Sequence, residues 1–331
     1  EAESFESYGG WILDSQFEEE MGSPYLLAHG LGKPVTDAVT EIAVAADGQY
    51  RVWARVKDWV PDYHPGRFEL SVNGTTVAML GESGVEGWTW ENAGVIELKK
   101  GMAEIRLHDL TGFDGRCDAL YFTDEDDAPP EDGGNVNRSW RKKLLGLPET
   151  PEFCGDFDVV VVGGGMAGCS AALTAAETGS RVVLVTDRPV LGGNASTEIG
   201  LGPRGYMGKA VMDMCKREEN GDMAVIGMLR NHPRVTVLTN ERAFSVNKNG
   251  EAIESVDLRS MKSGKEIRIA GRVFIDCSGK GILARLSGAE IRTGREGKSE
   301  YNESLAPDAA DGRHHGHTVL YRIREAAHPV T

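Results

Sequence analysis

Residues 159–168 read VVVVGGGMAG, and this stretch decides the fold class. Four consecutive valines predict a strand buried on both faces, as strands of parallel sheets are. The glycines that follow have GxGxxG spacing, and the alanine-rich segment after them predicts a helix ending near Gly179. A strand, a glycine-rich turn and a helix in this order predict a dinucleotide-binding α/β unit.

Each glycine of this turn has a separate task in the expected site. Gly163 permits the tight turn, Gly165 lets the backbone approach a pyrophosphate, and Gly168 lets the helix pack closely on the strand. The free N–H groups at the start of the helix then face the phosphates, which places Met166 and Ala167 beside them.

The second strand of the unit, RVVLVT at 181–186, raises the question of which residue binds the ribose. An acid is expected at the end of this strand, about 20 residues after the glycines. That position holds Thr186, and Asp187 follows it, so either a hydroxyl makes the contact or the strand end shifts by one residue. Arg188 is placed to reach a 2′-phosphate, which keeps NADP as an alternative ligand.

A second glycine pair follows in DRPVLGGNASTEIG, 187–200, and a later segment reads RVFIDCSGKGIL, 272–283. Both resemble motifs of the flavoprotein class related to glutathione reductase and fumarate reductase, and the resemblance implies FAD. A parallel strand at 235–240 and three antiparallel strands at 242–247, 251–259 and 265–270 are also typical of such FAD domains. The implied cofactor contacts are Gly192, Gly193, Asn194, Ala195, Ser196, Ala243, Ser278, Gly279 and Gly281.

Residues 156–331 as a whole resemble the FAD-dependent oxidoreductase family, in particular exported or carbohydrate-associated bacterial flavoproteins, and GREGKSEYNESLAP at 294–307 extends the likeness. The resemblance implies hydride transfer from a substrate C–H to flavin N5, assisted by a side-chain base. The candidate bases are Glu198 and His317. The glycine-rich segment that normally closes the flavin site does not occur before residue 331. We therefore expect a further C-terminal segment or chain to complete it.

Residues 1–128 differ in composition from the remainder, since they carry 25 acids, 9 bases and five of the six tryptophans. Such acidity disfavours phosphate-backbone binding, so we expect no nucleic-acid partner. No apolar run reaches the roughly 18 residues of a spanning helix, so we expect no membrane partner. Short alternating segments, such as Tyr50–Val56, are separated by turns such as Asn73-Gly74 and predict an all-β sandwich.

Three segments of this region, EAESFESYGGW, GQYRVWARV and GRCDALYFTDE, resemble the first, central and last strands of a carbohydrate-binding, galactose-binding-like jelly roll. The resemblance implies that Glu1, Glu3 and Asp118 hold a structural calcium ion, which prefers oxygen ligands. Exposed tryptophans would stack on sugar rings. The alternative role of residues 1–128 is to form a surface against which the following domain docks.

The predicted organisation is a jelly-roll sandwich over 1–128, a linker with a short helix over 129–155, and a Rossmann-like FAD domain over 156–331. The last combines a parallel sheet with a three-stranded antiparallel meander. The predicted function is FAD-dependent oxidation of a carbohydrate or another hydroxylated small molecule. The alternatives are an NAD(P)-linked dehydrogenase and a glycan-binding protein with a redox-silent flavin domain. The predicted location is periplasmic or extracellular, with the cytoplasm as the alternative.

Overall fold

The computed structural model describes residues 1–130 and 135–314, and the chain divides into two compact units, Glu1–Leu283 and Ala284–Thr331. The strands are β1 (Ile12–Asp14), β2 (Tyr25–His29), β3 (Ala38–Val44), β4 (Gly48–Asp58), β5 (Phe68–Val72), β6 (Thr75–Leu80), β7 (Gly87–Leu98), β8 (Gly101–Asp109), β9 (Phe113–Thr123), β10 (Glu152–Val162), β11 (Val182–Thr186), β12 (Val235–Thr239), β13 (Glu241–Asn249), β14 (Ala252–Ser260) and β15 (Glu266–Asp276). The helices are α1 (Glu18–Met21), α2 (Asn135–Leu144), α3 (Met166–Glu177), α4 (Gly208–Met214), α5 (Ala224–Arg230), α6 (Ile282–Ser287) and α7 (Lys298–Tyr301).

Strands β1 to β9 form two antiparallel sheets, in the orders β1-β2-β9-β4-β7 and β3-β8-β5-β6. On β4, Val52, Ala54 and Val56 are fully buried, because alternate residues of a strand point to the same face. They share one core with Phe68 and Leu70 of the other sheet. The predicted β-sandwich is therefore present, and its hydrophobic alternation is confirmed.

The tryptophans pack within the sandwich and at its margins, and none of the six is exposed. The Trp88 ring meets Tyr25 edge-on, with ring centroids 4.8 Å apart. Trp140 of α2 meets Tyr121 at 4.9 Å and Trp90 at 6.0 Å. These contacts give Trp88, Trp90 and Trp140 a packing role, so these three are not the exposed rings that were expected to stack on sugars.

Helix α2 is the short helix that the sequence predicts between the sandwich and the following domain. Its basic side chains contact β15, a strand of the six-stranded sheet described below. Arg138 Nε and Lys142 Nζ donate to the two carboxylate oxygens of Glu266 on β15, at 3.1 Å and 3.0 Å. Trp140 packs on the sandwich at the same time. The predicted linker ends earlier than expected, because β10 already begins at Glu152.

The remaining strands form one six-stranded sheet in the order β12-β11-β10-β15-β14-β13. The first four are parallel, and β14 is antiparallel to β13 and β15. The predicted three-stranded antiparallel meander is present as β13, β14 and the first part of β15, but the strands expected at 265–270 and within 272–283 are one strand, because β15 runs unbroken from the antiparallel part into the parallel part. Gly271 permits this continuity, since a Cβ there would lie 2.6 Å from Val160 Cγ2.

Glu91 on β7 makes the stability of the sandwich depend on pH. Burial, with a further effect of Asp58, raises the pKa of Glu91 to about 7, and its Oε1 has no hydrogen-bond partner among the described residues. The folded state therefore holds the proton more tightly than the unfolded state, so stability falls as pH rises from about 4.5 to 7. We expect Glu91→Gln to raise the thermal unfolding midpoint at pH 8 but not at pH 5.

The matched control for this prediction is Glu97→Gln, an exposed acid on the same strand, which should leave both midpoints nearly unchanged. An equal shift for Glu91→Gln at pH 5 and pH 8 would show that ionisation of Glu91 is not the cause.

The second unit contains α7, and its described part ends at residue 314. A backbone bridge joins Arg295 to Asp311, and Arg295 Nε donates to Asp311 Oδ1 at 3.1 Å. Among the described residues, no helix combines the length and apolar character that crossing a membrane requires.

Candidate functional site

The glycine-rich turn after β10 has the geometry that its sequence predicts. Gly163 has φ +113°, and a Cβ on it would lie 2.1 Å from the carbonyl oxygen of Cys277. A Cβ on Gly168 would lie 1.8 Å from the carbonyl oxygen of Gly163, so only glycine lets α3 approach the strand. A Cβ on Gly165 would meet no atom within 4 Å. The space above Gly165 is open, while the space at the other two glycines is filled by backbone.

That open space belongs to a cavity of about 640 Å³, situated where β10, β11 and β15 end. Its volume is within the range of cofactor and ligand pockets. Most of the predicted cofactor residues line it, namely Gly163, Gly165, Met166, Ala167, Thr186, Asp187, Arg188, Gly192, Gly193, Asn194, Ala195, Ala243, Ser278 and Gly279.

Three predicted cofactor residues do not line the cavity. Gly168 lies behind the turn, where its role is close packing of helix on strand. Ser196 is buried, and its Oγ accepts the N–H of Glu198 at 3.2 Å. Gly281 has φ +63° and shapes the turn between two residues that do line the wall, Lys280 and Ile282.

Both arginines of the cavity wall are already paired with carboxylates. Arg188 Nε and Nη2 lie 2.9 Å and 2.8 Å from Glu198 Oε2. Arg242 Nη1 lies 2.9 Å from Glu18 Oε2 on α1, so the sandwich contributes a carboxylate behind the cavity wall. Burial raises the pKa of Glu18 to about 7, against the opposing effects of Arg242 and Arg259.

Glu241 is a wall residue that sequence reasoning missed. It begins β13, two positions before Ala243, and its Oε2 is buried without a hydrogen-bond partner among the described residues. Burial raises its pKa to about 7. Its closeness in sequence to Ala243 was an available signal, but a glutamate at the start of a strand more often lies in solvent.

Of the two predicted catalytic residues, the structure describes Glu198. Glu198 is not part of the cavity wall, and its ion pair with Arg188 ties it to the end of β11 rather than to a substrate. His317 lies outside the described residues. Neither role is tested by the geometry, and both stay predictions.

The three predicted calcium ligands do meet, since Glu1, Glu3 and Asp118 offer oxygen atoms within 4.8 Å of one another. However, Arg141 of α2 enters the same cluster and donates to Glu1 Oε1 at 2.9 Å and to Asp118 Oδ2 at 3.0 Å. Arg55 lies 3.6 Å from Asp118.

Charge balance within this cluster disfavours an additional divalent cation. Burial, with a further effect of Glu1, raises the pKa of Glu3 well above its ordinary value, which favours the neutral acid. The two remaining carboxylates then face two guanidinium groups, those of Arg55 and Arg141. Calcium binding stays a prediction, in competition with Arg141 for the same oxygens.

Three features together define a dinucleotide-binding protein: a parallel sheet, a GxGxxG turn at a helix N-terminus, and a cavity whose wall includes a second glycine pair. Residues 158–329, about half of the chain, match the FAD dependent oxidoreductase family, and the chain belongs to this family. Its cofactor is accordingly FAD. The cavity fits this cofactor, because Gly165, which has open space around it, faces the cavity and a buried carboxylate oxygen of the wall residue Glu241 lacks a partner within residues 1–130 and 135–314.

Known proteins resemble parts of the chain. A urocanate reductase from Eggerthella lenta is 47% identical over 62 residues, which are 18% of this chain and 10% of that protein. A fumarate reductase (cytochrome) from Shewanella frigidimarina is 54% identical over 43 residues, 13% of this chain and 8% of that protein. The matched segments thus span a tenth or less of these relatives.

A solved structure also resembles part of the chain. The family 35 carbohydrate binding module from Clostridium thermocellum covers 35% of this chain and 89% of its own, at 18% identity and a TM-score of 0.30. A TM-score of this size carries no argument about the sandwich.

Proposed function

We propose that the cavity binds FAD with its diphosphate at the N-terminus of α3, and that the bound flavin exchanges a hydride with a small organic substrate. The observation that carries the proposal is the open space at Gly165, on the cavity side of the turn. Gly165 is the N-cap of a 12-residue helix, so unpaired N–H groups and the positive end of the helix dipole lie beside that space.

The cofactor supplies the redox chemistry, and the residues of this chain bind and orient it. Gly192 and Gly193 extend the glycine wall opposite Gly165, held by the hydrogen bond from Gly192 N to Gly164 O at 2.7 Å. Thr186 is the last residue of β11, and Ala243 lies near the start of β13. Both residues line the cavity and would hold the adenosine.

The turn after β15 forms a further part of the wall, through Ser278 and Gly279, and is held in place by Asp276. The Asp276 carboxylate accepts the N–H groups of Ser278 at 3.0 Å and Leu283 at 2.8 Å. These two bonds fix both ends of the turn, so its backbone is preorganised for the cofactor.

The proposed substrate is a hydroxylated small molecule, a carbohydrate included, which gives up a hydride from the carbon that bears the hydroxyl. Support for this class comes from the three sequence segments of residues 1–128 that resemble strands of a carbohydrate-binding jelly roll. A second candidate is a different reaction, hydride transfer from reduced flavin to the C=C bond of an unsaturated acid, favoured by the identity of short segments to the urocanate and fumarate reductases.

One anaerobic experiment tests these assignments. The protein reconstituted with FAD should show the visible absorbance of oxidised flavin, and a sugar or polyol from a substrate panel should bleach it. For the second candidate, the flavin is first reduced chemically, and fumarate or urocanate should restore the absorbance. If FAD does not bind, the cofactor assignment fails. If FAD binds but no hydroxylated compound bleaches it, the oxidation proposal fails.

A further inference from the structure

Two acids, Glu241 and Asp187, lie in the wall of the cavity near the end of β11. The usual ribose-binding position at the end of this strand is occupied by Thr186, whose Oγ1 already accepts the N–H of Arg188 at 3.3 Å. Thr186 has no carboxylate, so the ribose hydroxyls have an ionised hydrogen-bond acceptor only if another residue supplies one.

The fold brings Glu241 to the same sheet edge as Thr186. Strand β12 pairs with β11 so that Thr239 lies opposite Thr186, and Glu241 follows two residues later. Asn240, between them, donates its N–H to the carbonyl oxygen of Arg188 at 3.2 Å. This bond anchors the start of β13 against the end of β11.

Both acids are half-buried, but their carboxylate oxygens differ in access to water. The Oε2 atom of Glu241 is inaccessible to water and has no hydrogen-bond partner among the described residues. Asp187 has no such orphaned oxygen and is partly exposed, so water can satisfy its carboxylate. A buried polar atom without a partner is costly, and a rotation of the Glu241 side chain that brings Oε2 to a ligand hydroxyl in the cavity removes that cost.

We infer that Glu241 is the carboxylate that accepts hydrogen bonds from the ribose hydroxyls of the adenosine half of FAD. The inference rests on the proposed function, because it requires the dinucleotide to lie in this cavity. The inference also has a consequence for selectivity, because a carboxylate beside the ribose repels a 2′-phosphate. Arg188, the cation that could bind a 2′-phosphate, is paired with Glu198 instead. The site thereby disfavours NADP.

The test measures ADP, 2′-deoxy-ADP and 3′-deoxy-ADP binding to the full apoprotein by calorimetry at pH 8, above the pKa of about 7 to which burial raises Glu241, so that its carboxylate is ionised. Hydrogen bonds to a charged acceptor are strong, so the wild type should bind at least one deoxy analogue about tenfold or more weakly than ADP. In Glu241→Met, ADP should lose about tenfold in affinity, and the discrimination should fall below about twofold. Glu254→Met, an exposed acid on β14, is the matched control and should behave as the wild type.

Several outcomes would overturn the inference. Equal binding of all three nucleotides by the wild type would do so without any variant. Retained discrimination in Glu241→Met, or its loss in Asp187→Asn alone, would assign the ribose to another residue. If the wild type does not bind ADP at all, the proposed function itself fails together with the inference. The thermal midpoint of the Glu241→Met apoprotein should not drop, because the buried Oε2 has no hydrogen-bond partner in the described part of the chain for the substitution to remove.

Discussion

Replacement of Gly165 by alanine is expected to raise the FAD dissociation constant about 100-fold, a loss of about 3 kcal/mol. Gly165 has φ −70° and ψ 178°, a conformation open to any L-residue, and its Cβ would meet no protein atom within 4 Å. The apoprotein should therefore fold normally. The added methyl group would occupy the space where the diphosphate approaches the helix, and the loss of charge-assisted bonds from the backbone accounts for the magnitude.

Titration of the apoprotein with FAD, followed by flavin fluorescence, measures this effect. Gly227→Ala is the matched control, because Gly227 lies in α5, outside the cavity, and a Cβ there also meets no atom within 4 Å. It should leave the affinity unchanged and stabilise the helix slightly. Wild-type affinity in Gly165→Ala would contradict the placement of the diphosphate.

Removal of the Arg141 guanidinium is the second large effect, and it concerns stability. Arg141→Met should lower the free energy of unfolding by about 3–5 kcal/mol, because it leaves buried carboxylates without their partner. The side chains of Arg141, Glu1 and Asp118 are only 9%, 10% and 0% exposed, so water cannot replace the lost bonds. Urea denaturation gives the measurement.

The matched control is Arg138→Met on the same helix. Its side chain is 30% exposed, and its partner Glu266 keeps Lys142 and Arg259, so the loss should be about 1 kcal/mol or less. Calcium provides a second arm of the experiment. It should restore part of the lost stability in Arg141→Met, where the three acids become available, and should not stabilise the wild type. Destabilisation of the wild type by EDTA would show instead that calcium is bound beside Arg141.

Agreement between prediction and structure is best where function depends on local backbone geometry. Gly163, Gly165 and Gly168 were assigned three different tasks, and the structure gives each glycine the surroundings that its task requires. The second glycine pair, at 192 and 193, also lies in the cavity wall. Glycine is informative here because the absence of a Cβ is needed where φ is positive or where another segment or a ligand comes close.

Disagreement is concentrated in contacts between distant parts of the chain. The ion pair of Glu198 with Arg188, ten residues earlier, was not expected from the sequence, and the role of Glu198 as a base stays a prediction. Arg141 was expected only to lie on a connecting helix, and it enters the acidic cluster formed by Glu1 and Asp118. No periodicity or spacing reports such pairings, because they depend on how separate elements are brought together.

The sequence by itself determined the types of the elements and the place of the dinucleotide turn. Alternation along β4, the four valines of β10 and the spacing of the glycines all act through neighbouring residues, so they can be read before folding. The tertiary structure alone decided that β15 joins the meander to the parallel sheet, that Glu241 lies in the cavity wall and that Glu18 pairs with Arg242 behind that wall. Those outcomes depend on burial and on charges from remote segments, and a carboxylate acquires its role only when the fold removes it from water.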